Sequence, residues 1–245
     1  MSGEAFTDKA EAYAKARPGY APAALDFISG LVDNPGAAIA DIGAGTGKFS
    51  VLLAERGFNV IAVEPNGDMR SKLPDCVRAV DGTAEATGLP DASVDAVTCA
   101  QAFHWFDGEK FKAECRRILK PGGRIFVLYN NPMEGAGTHD ELIWYGYGAK
   151  AEECTGGEAA YVKRWREREQ CLRDFFGGGM AVNAFPNPVY YDAEGWLAYM
   201  LSHSNSPRPG NEIYARFVES VHTIFERRSI EGKLLLPLQT VVYTN

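Results

Sequence analysis

The stretch ADIGAGTGKF, residues 40–49, constrains the fold of this chain more than any other feature of its sequence. It places three glycines within five residues, directly after a short apolar run. Glycine loses more backbone freedom on folding than any other residue, so a glycine cluster marks a sharp turn or a close approach to a ligand. The sequence that follows has the apolar spacing of a helix, so we expect a strand, a glycine turn and a helix in succession.

Strand and helix signals alternate from residue 38 to residue 130. Five apolar runs predict strands at residues 38–42, 59–64, 77–81, 94–100 and 124–130. Strands that are apolar through most of their length are covered on both faces, as in parallel sheets. The sequence therefore predicts an α/β fold: a doubly wound, mostly parallel, seven-stranded Rossmann-like sheet with a helical insertion after strand 5.

The pattern changes after Pro132 to helices rich in Trp, Tyr and charged residues. Two later segments, 187–192 and 239–244, predict strands, and the stretches between them predict helices. We expect a single domain with four parts: N-terminal lid helices (1–34), a cofactor-binding core (35–131), a helical substrate insertion (132–185) and C-terminal elements that complete the sheet (186–245). The basic run KRWRER at 163–168 interleaves with glutamates, which favours a solvated helix face.

The residues of the glycine turn distinguish between classes of ligand. A dinucleotide fingerprint needs a third glycine where Lys48 stands, and a P-loop needs Ser or Thr where Phe49 stands. The observed pattern is instead Asp41-x-Gly43-x-Gly45-x-Gly47, followed by Glu64 at the end of the second predicted strand. A carboxylate there has two oxygens spaced for a vicinal diol and would repel a 2′-phosphate.

These residues resemble the S-adenosylmethionine site of the class I methyltransferases of type 11. The resemblance continues through DGTAEATGLPDASVD, SVDAVTCAQAFHWFD and LKPGGRIFV and covers about residues 35 to 130. It implies S-adenosyl-L-methionine as the cofactor, with Glu64 on the ribose and either Thr83 or Asp81 near the adenine amine. The cofactor-binding residues that it implies are Tyr13, Arg17, Asp41, Gly43, Ala44, Gly45, Gly47, Glu64, Pro65, Met69, Thr83, Ala84, Glu85, Gln101 and Ala102.

The N-terminal segment AEAYAKARPGY is similar to the Y-x-x-x-R-P-x-Y segment of small-molecule methyltransferases, including the trans-aconitate branch. Tyr13 and Arg17 are neighbours on a helix face, and Pro18 stops that helix. The resemblance implies that this segment closes over the cofactor. Arg17 would then meet the methionine carboxylate or an acidic substrate.

Acceptor contacts are expected beyond the fourth strand, on the ligand side of the sheet. His104 is the candidate catalytic residue, with a structural, hydrogen-bonded histidine as the alternative. Methyltransferases that act on nitrogens of nucleic acids often carry N/D-P-P-Y here, whereas this chain has AQAFHW and a net charge of −7. We therefore expect no nucleic-acid partner. The candidate substrate residues are His104, Trp105, Tyr129, Asn130, Tyr145 and His203.

The sequence thus predicts an enzyme that transfers methyl from S-adenosylmethionine to a small molecule, with a carboxylate or hydroxyl as the acceptor group. An NAD(P)-dependent oxidoreductase and a non-catalytic S-adenosylmethionine-binding protein are the alternatives. Five cysteines without a C-x-x-C pair, and no signal-peptide or membrane-length apolar run, favour a cytoplasmic protein without a metal centre or membrane partner. The accepting atom and the oligomeric state stay open.

Overall fold

A seven-stranded sheet forms the centre of the structure, a computed structural model that describes residues 17–133, 157–203 and 206–245. In chain order, the strands are β1 (Ala38–Ile42), β2 (Asn59–Val63), β3 (Arg78–Val80), β4 (Val94–Ala100), β5 (Leu119–Pro132), β6 (Ala181–Pro186), β7 (Val189–Tyr191), β8 (Leu234–Leu236) and β9 (Leu238–Thr244). The order in the central sheet is β3-β2-β1-β4-β5-β9-β6. The first five strands pair in parallel, and β9 runs antiparallel to both β5 and β6.

Helices cover both faces of this sheet. They are α1 (Pro22–Val32), α2 (Lys48–Ala54), α3 (Gly67–Arg70), α4 (Gly108–Ile118), α5 (Gly157–Phe176), α6 (Ala193–Leu201) and α7 (Tyr214–Arg228). Side chains alternate along β5, so the strand contributes to a separate hydrophobic core on each face of the sheet. Phe126 and Leu128 pack with residues of α1 and α2, whereas Val127 and Tyr129 pack with residues of α4 and α5. The predicted doubly wound α/β fold, with a helix inserted after the fifth strand, is confirmed.

The segment KPGG forms a bulge inside β5, where the sequence predicted a turn before the strand. Val94 pairs with Leu119, and pairing then resumes between Ala96 and Arg124. A β-carbon on Gly123 would lie 2.9 Å from the carbonyl oxygen of Asp95, so only glycine fits this close approach. Lys120 donates to both carboxylate oxygens of Asp95 at 2.9 Å, which ties the bulge to β4.

Strand β6 spans residues 181–186 and so crosses the expected boundary at residue 185 between the helical insertion and the C-terminal elements. The residues of β6 alternate between exposed and half-buried, because β6 is the edge strand of the sheet and lacks an apolar run. The predicted strand at 187–192 is β7, which pairs with β8 in a separate two-stranded sheet. We call residues 189–236 the β7–β8 module.

The β7–β8 module has a hydrophobic core of its own. Trp196 is 1% exposed and donates its indole N–H to the carbonyl of Val221 at 3.0 Å. Phe217 and Ile224 of α7 pack against the same cluster. The module therefore stands as an insertion between the last two strands of the central sheet, beside its carboxyl edge. Within the described ranges, no helix is both long and apolar enough to cross a bilayer.

Glu114 of α4 holds the loop that leads from β3 to β4. Its carboxylate is 8% exposed and accepts four hydrogen bonds: two from Thr87, at 2.8 and 2.6 Å, and two from Arg117, at 2.8 and 2.7 Å.

We expect Glu114→Gln to lower the free energy of unfolding at pH 7 by about 2 kcal/mol, because a charged acceptor of buried hydrogen bonds is lost. Glu219→Gln, on the exposed face of α7, is the matched control and should change it by less than about 0.5 kcal/mol. Denaturant titration measures both.

The pH dependence of this effect has a definite sign. The hydrogen bonds from Arg117 hold the pKa of Glu114 at about 2, below its ordinary value of 4.5. A lowered carboxyl pKa contributes stability that is complete above pH 4.5 and is lost as the pH falls towards 2. The difference between parent and Glu114→Gln should shrink over that window, and a constant difference would contradict this role for Glu114.

Candidate active site

A cavity of about 240 Å³ opens at the carboxyl ends of the parallel strands β1, β2 and β4. Most residues that the sequence singled out for cofactor binding lie in its wall: Arg17, Asp41, Gly43, Ala44, Gly45, Glu64, Pro65, Met69, Thr83, Ala84, Glu85, Gln101 and Ala102. Trp105 and Asn130, from the substrate set, also line it. Tyr13 and Tyr145 lie outside the described residues.

The glycine turn brings backbone amide groups to the cavity wall. Gly43 and Gly45 have φ angles of 69° and 59°, in the left-handed region that favours glycine. A β-carbon on Gly43 would lie 2.7 Å from the β-carbon of Ala102, so the turn also needs glycine for close packing. Gly47 lies behind the wall, where a β-carbon would meet Leu73 at 2.7 Å. Its close packing at the start of α2 requires glycine, and its cofactor contact stays a prediction.

Glu64 joins this turn to the end of β2. One carboxylate oxygen accepts the backbone N–H of Gly45 at 2.9 Å, and the other accepts that of Asn66 at 2.9 Å. The residue is only 6% exposed, and its neighbour Asn66 caps α3. Each carboxylate oxygen carries two lone pairs, so each keeps an acceptor position for a ligand hydroxyl.

Asp41 forms the polar floor of the cavity. Ser50 donates to one carboxylate oxygen at 2.5 Å, and Thr98 donates to the other at 2.8 Å. Burial raises the pKa of Asp41 from 3.8 to about 6; the two hydroxyl donors lower it, and the charge of Glu64 raises it further. Asp41 therefore changes charge near neutral pH.

The loop after β3 contributes Thr83, Ala84 and Glu85 to the cavity wall. Reciprocal backbone hydrogen bonds between Thr83 and Ala86 close this loop, and Glu85 accepts the backbone N–H of Asp107 at 2.9 Å. Asp81 instead forms an ion pair with Arg70 at 3.0 Å and does not line the cavity. Of the two alternatives for the adenine amine, Thr83 is the one in the wall.

Residues 17–21, which we call the N-terminal strap, border the cavity. The carbonyl of Gly19 accepts hydrogen bonds from the side chains of Asn130 and Asn187, at 2.8 and 2.9 Å. The backbone N–H of Ala21 donates to Thr240 of β9 at 2.9 Å. Arg17, Pro18 and Tyr20 of the strap thereby become part of the wall.

Other wall residues were not identified from the sequence. In the sequence, Lys48 was used only to exclude a dinucleotide-binding fingerprint. In the structure it lines the cavity, and its ammonium donates a hydrogen bond to the carbonyl of Arg17. Tyr199 comes from α6 in the β7–β8 module, with the Arg17 guanidinium carbon 5.7 Å from its ring centre. Only tertiary structure brings Tyr199 here, so no local pattern could have found it. Phe106 could have been included, since it directly follows the predicted Trp105.

His104 lies beside the cavity rather than in its wall. Its backbone N–H donates to the hydroxyl oxygen of Tyr129 at 3.2 Å, and its Nδ1 lies 3.2 Å from the same oxygen. The Tyr129 hydroxyl can donate its proton to Nδ1 while it accepts the backbone N–H, and in that tautomer Nε2 carries the ring proton. Desolvation, together with the charges of Arg168 and Arg17, lowers the pKa of His104 to about 4 although the residue keeps an exposed surface, so the ring is neutral at neutral pH.

Tyr129 and His203 are not in the cavity wall, where the sequence expected them. Tyr129 is 1% exposed and packs in the core with residues of α4 and α5, because it points to the face opposite to Asn130. Its hydroxyl supports His104. His203 packs edge-on against Tyr199, with ring centres 4.8 Å apart, and its Nδ1 lies 3.0 Å from the Tyr199 carbonyl.

The chain is similar in sequence to a methyltransferase family and to relatives named as uncharacterized methyltransferases. Residues 40–127 match the profile of a family described as a methyltransferase domain. An uncharacterized methyltransferase of Mycobacterium tuberculosis is 43% identical over 143 residues, which is 56% of this chain and 56% of that protein. An uncharacterized methyltransferase-like protein of Schizosaccharomyces pombe is 42% identical over 133 residues, 51% of this chain and 50% of the relative. The chain thus spans about half the length of the curated relatives it matches.

Two solved structures share the fold. A candidate type II methyltransferase from Anaeromyxobacter dehalogenans has a TM-score of 0.64 at 22% identity, covering 93% of this chain and 95% of its own. A candidate methyltransferase from Anabaena variabilis has a TM-score of 0.59 at 23% identity, covering 95% and 99%. At these identities the likeness shows the fold alone. Residues 40–127 thus match a methyltransferase domain, and the two solved structures show that the chain shares the fold of candidate methyltransferases.

Proposed function

We propose that the protein transfers a methyl group from S-adenosylmethionine to a small-molecule acceptor by in-line displacement. The observation that carries the proposal is the Glu64 carboxylate, held by two backbone amides and facing a cavity bordered by the glycine turn. This arrangement suits a nucleoside with a free ribose diol. The resemblance to the trans-aconitate branch, the absence of nucleic-acid and membrane partners and the cytoplasmic location stay predictions.

The described side chains supply distinct contacts for such a cofactor. Glu64 would accept the ribose hydroxyls, and the loop at Thr83 and Ala84 would border the adenine. The turn amides and Arg17 would hold the amino-acid tail, since a guanidinium pairs well with a carboxylate. When bound, the cofactor supplies an activated methyl group whose leaving group is a neutral thioether.

Positioning is the main contribution that we expect from the protein. Holding two reactants in line can supply about 7–11 kcal/mol, whereas a general base typically supplies about 3–5 kcal/mol. With a pKa of about 4, His104 is a weak base. We infer that it orients the acceptor through its Nε2–H, while the strap, Trp105 and Phe106 shield the reacting atoms from water.

An NAD(P)-dependent oxidoreductase is distinguished from a methyltransferase by which cofactor binds, and a non-catalytic binding protein is distinguished by the absence of methyl transfer. The family match favours methyl transfer over NAD(P) chemistry, and Lys48 occupies the place of the third dinucleotide glycine. Incubation with methyl-labelled S-adenosylmethionine and a panel of carboxylates, phenols and amines tests for an enzyme. Label transfer supports the proposal. Tight NAD binding with no affinity for S-adenosylmethionine would refute it, and cofactor binding without transfer to any panel member would favour a binding protein.

Glu64→Ala should weaken S-adenosylmethionine binding by about 2 kcal/mol, or roughly 30-fold in Kd, since charge-assisted hydrogen bonds to the ribose are lost. Asp68→Asn, an exposed acid on α3 outside the cavity wall, is the matched control. Calorimetric titration measures both, with thermal unfolding to show that each variant is folded. Equal affinities for Glu64→Ala and the parent would remove the ribose assignment.

Asp41 should make cofactor affinity depend on both pH and ligand charge. Without ligand the pKa of Asp41 is about 6, so its negative charge develops as the pH rises through that value. A sulfonium cation favours the ionised form. S-adenosylmethionine should therefore bind roughly 3- to 10-fold more tightly at pH 7 than at pH 5, whereas its neutral demethylated product should gain much less. An identical pH profile for both ligands, or an unchanged difference in Asp41→Asn, would contradict this.

A further inference from the structure

Four side chains form a cluster on the β5 side of the cavity, which we call the rim cluster: His104, Tyr129, Asn131 and Arg168. The guanidinium carbon of Arg168 lies 4.0 Å from the ring centre of Tyr129. One of its terminal nitrogens donates to the side-chain oxygen of Asn131 at 2.9 Å. The hydroxyl of Tyr129 in turn holds His104. Arg168 is therefore half-buried and fixed, contrary to the expected solvated helix face.

The partners of Arg168 in this cluster are all electrically neutral. Other half-buried arginines pair with carboxylates: Arg56 with Asp26 at 3.0 Å and Arg70 with Asp81 at 3.0 Å. Within the described ranges, Arg168 forms no such ion pair, and its Nε is buried without a hydrogen-bond acceptor. The neighbouring Glu169 is engaged by Arg173 at 2.5 Å. A half-buried charge without a counter-ion is costly, so this guanidinium is suited to an anionic ligand.

The charge and geometry of the cluster favour a carboxylate among anions. The neutral His104 adds one N–H donor and no charge, so the pair offers a single positive charge. A guanidinium presents two parallel donors that match the two oxygens of a carboxylate. A phosphate dianion would leave its second charge uncompensated by these two residues.

The rim cluster adjoins the wall at His104. Ala102 and Trp105, on either side of His104 in sequence, both line the cavity. An acceptor whose reacting atom lies in the cavity would have its remaining groups directed towards this rim.

We propose that Arg168 and His104 form a subsite that binds a carboxylate of the methyl acceptor. Arg168 acts as a positioning residue that pairs with the carboxylate, and His104 donates its Nε2–H to the same group. The inference rests on the proposed function, because it assigns the substrate class of that same site.

The test uses the full-length protein saturated with S-adenosylhomocysteine, so that the cofactor contacts are filled. Acetate, benzoate and succinate are titrated while the His104 ring proton resonance is followed by NMR, with assignment from His104→Gln. At least one carboxylate should shift this resonance to saturation, and the neutral isostere benzamide should not. Arg168→Gln should weaken that binding at least 10-fold. Arg168→Lys should restore part of it, and Arg227→Gln, at an exposed arginine of α7, should match the parent.

Three results would overturn the subsite: no response to any of the three carboxylates, equal binding in Arg168→Gln and the parent, or inorganic phosphate binding as tightly as the best carboxylate. Calorimetric binding of S-adenosylhomocysteine in the same samples separates the two hypotheses. If S-adenosylhomocysteine does not bind to the parent, the proposed function and the subsite are both rejected. Intact nucleoside binding without a carboxylate response would reject only the subsite.

Discussion

The hydrogen bonds from Gly45 and Asn66 to the Glu64 carboxylate are the interaction on which the site depends. They connect the turn after β1 to the end of β2, two strands that pair in parallel over their whole length. A carboxylate this deeply buried needs hydrogen-bond donors, and backbone amides provide them without any side-chain entropy cost. The same two bonds fix the direction of its remaining lone pairs. The same two hydrogen bonds therefore stabilise the fold and set the geometry of the ligand site.

The parts of the site that follow directly from strand ends could be predicted from the sequence. Asp41, Glu64 and Gln101 each lie at or just beyond the carboxyl end of an apolar strand, and parallel pairing brings these ends to one edge. Strand β6 and the β7–β8 module could not be predicted in the same way. An edge strand with alternating exposure carries a weak apolar signal, and the module's position depends on contacts far apart in sequence.

Tyr129 and Asn130 show that the sequence did not predict which face of the sheet a side chain points to. Both lie at the end of β5, and the sequence placed both at the acceptor. Successive residues on a strand point to opposite faces, so Asn130 contacts the strap whereas Tyr129 enters the core beneath α5. Arg168, the last residue of KRWRER, departs from the solvated face expected of that run, because it is half-buried and its guanidinium lies over the ring of Tyr129.

The attachment of the strap to β9 has a consequence for the order in which the protein matures. Gly19 and Ala21 are held by side chains from β5, β9 and the segment after β6, and Thr240 is more than two hundred residues away from its partner Ala21. During synthesis, the ribosome releases the glycine turn and Glu64 long before it makes Thr240. The nucleoside half of the pocket thus consists of residues that are made early, whereas the strap gains its hydrogen-bond partner Thr240 only after β9 has been made.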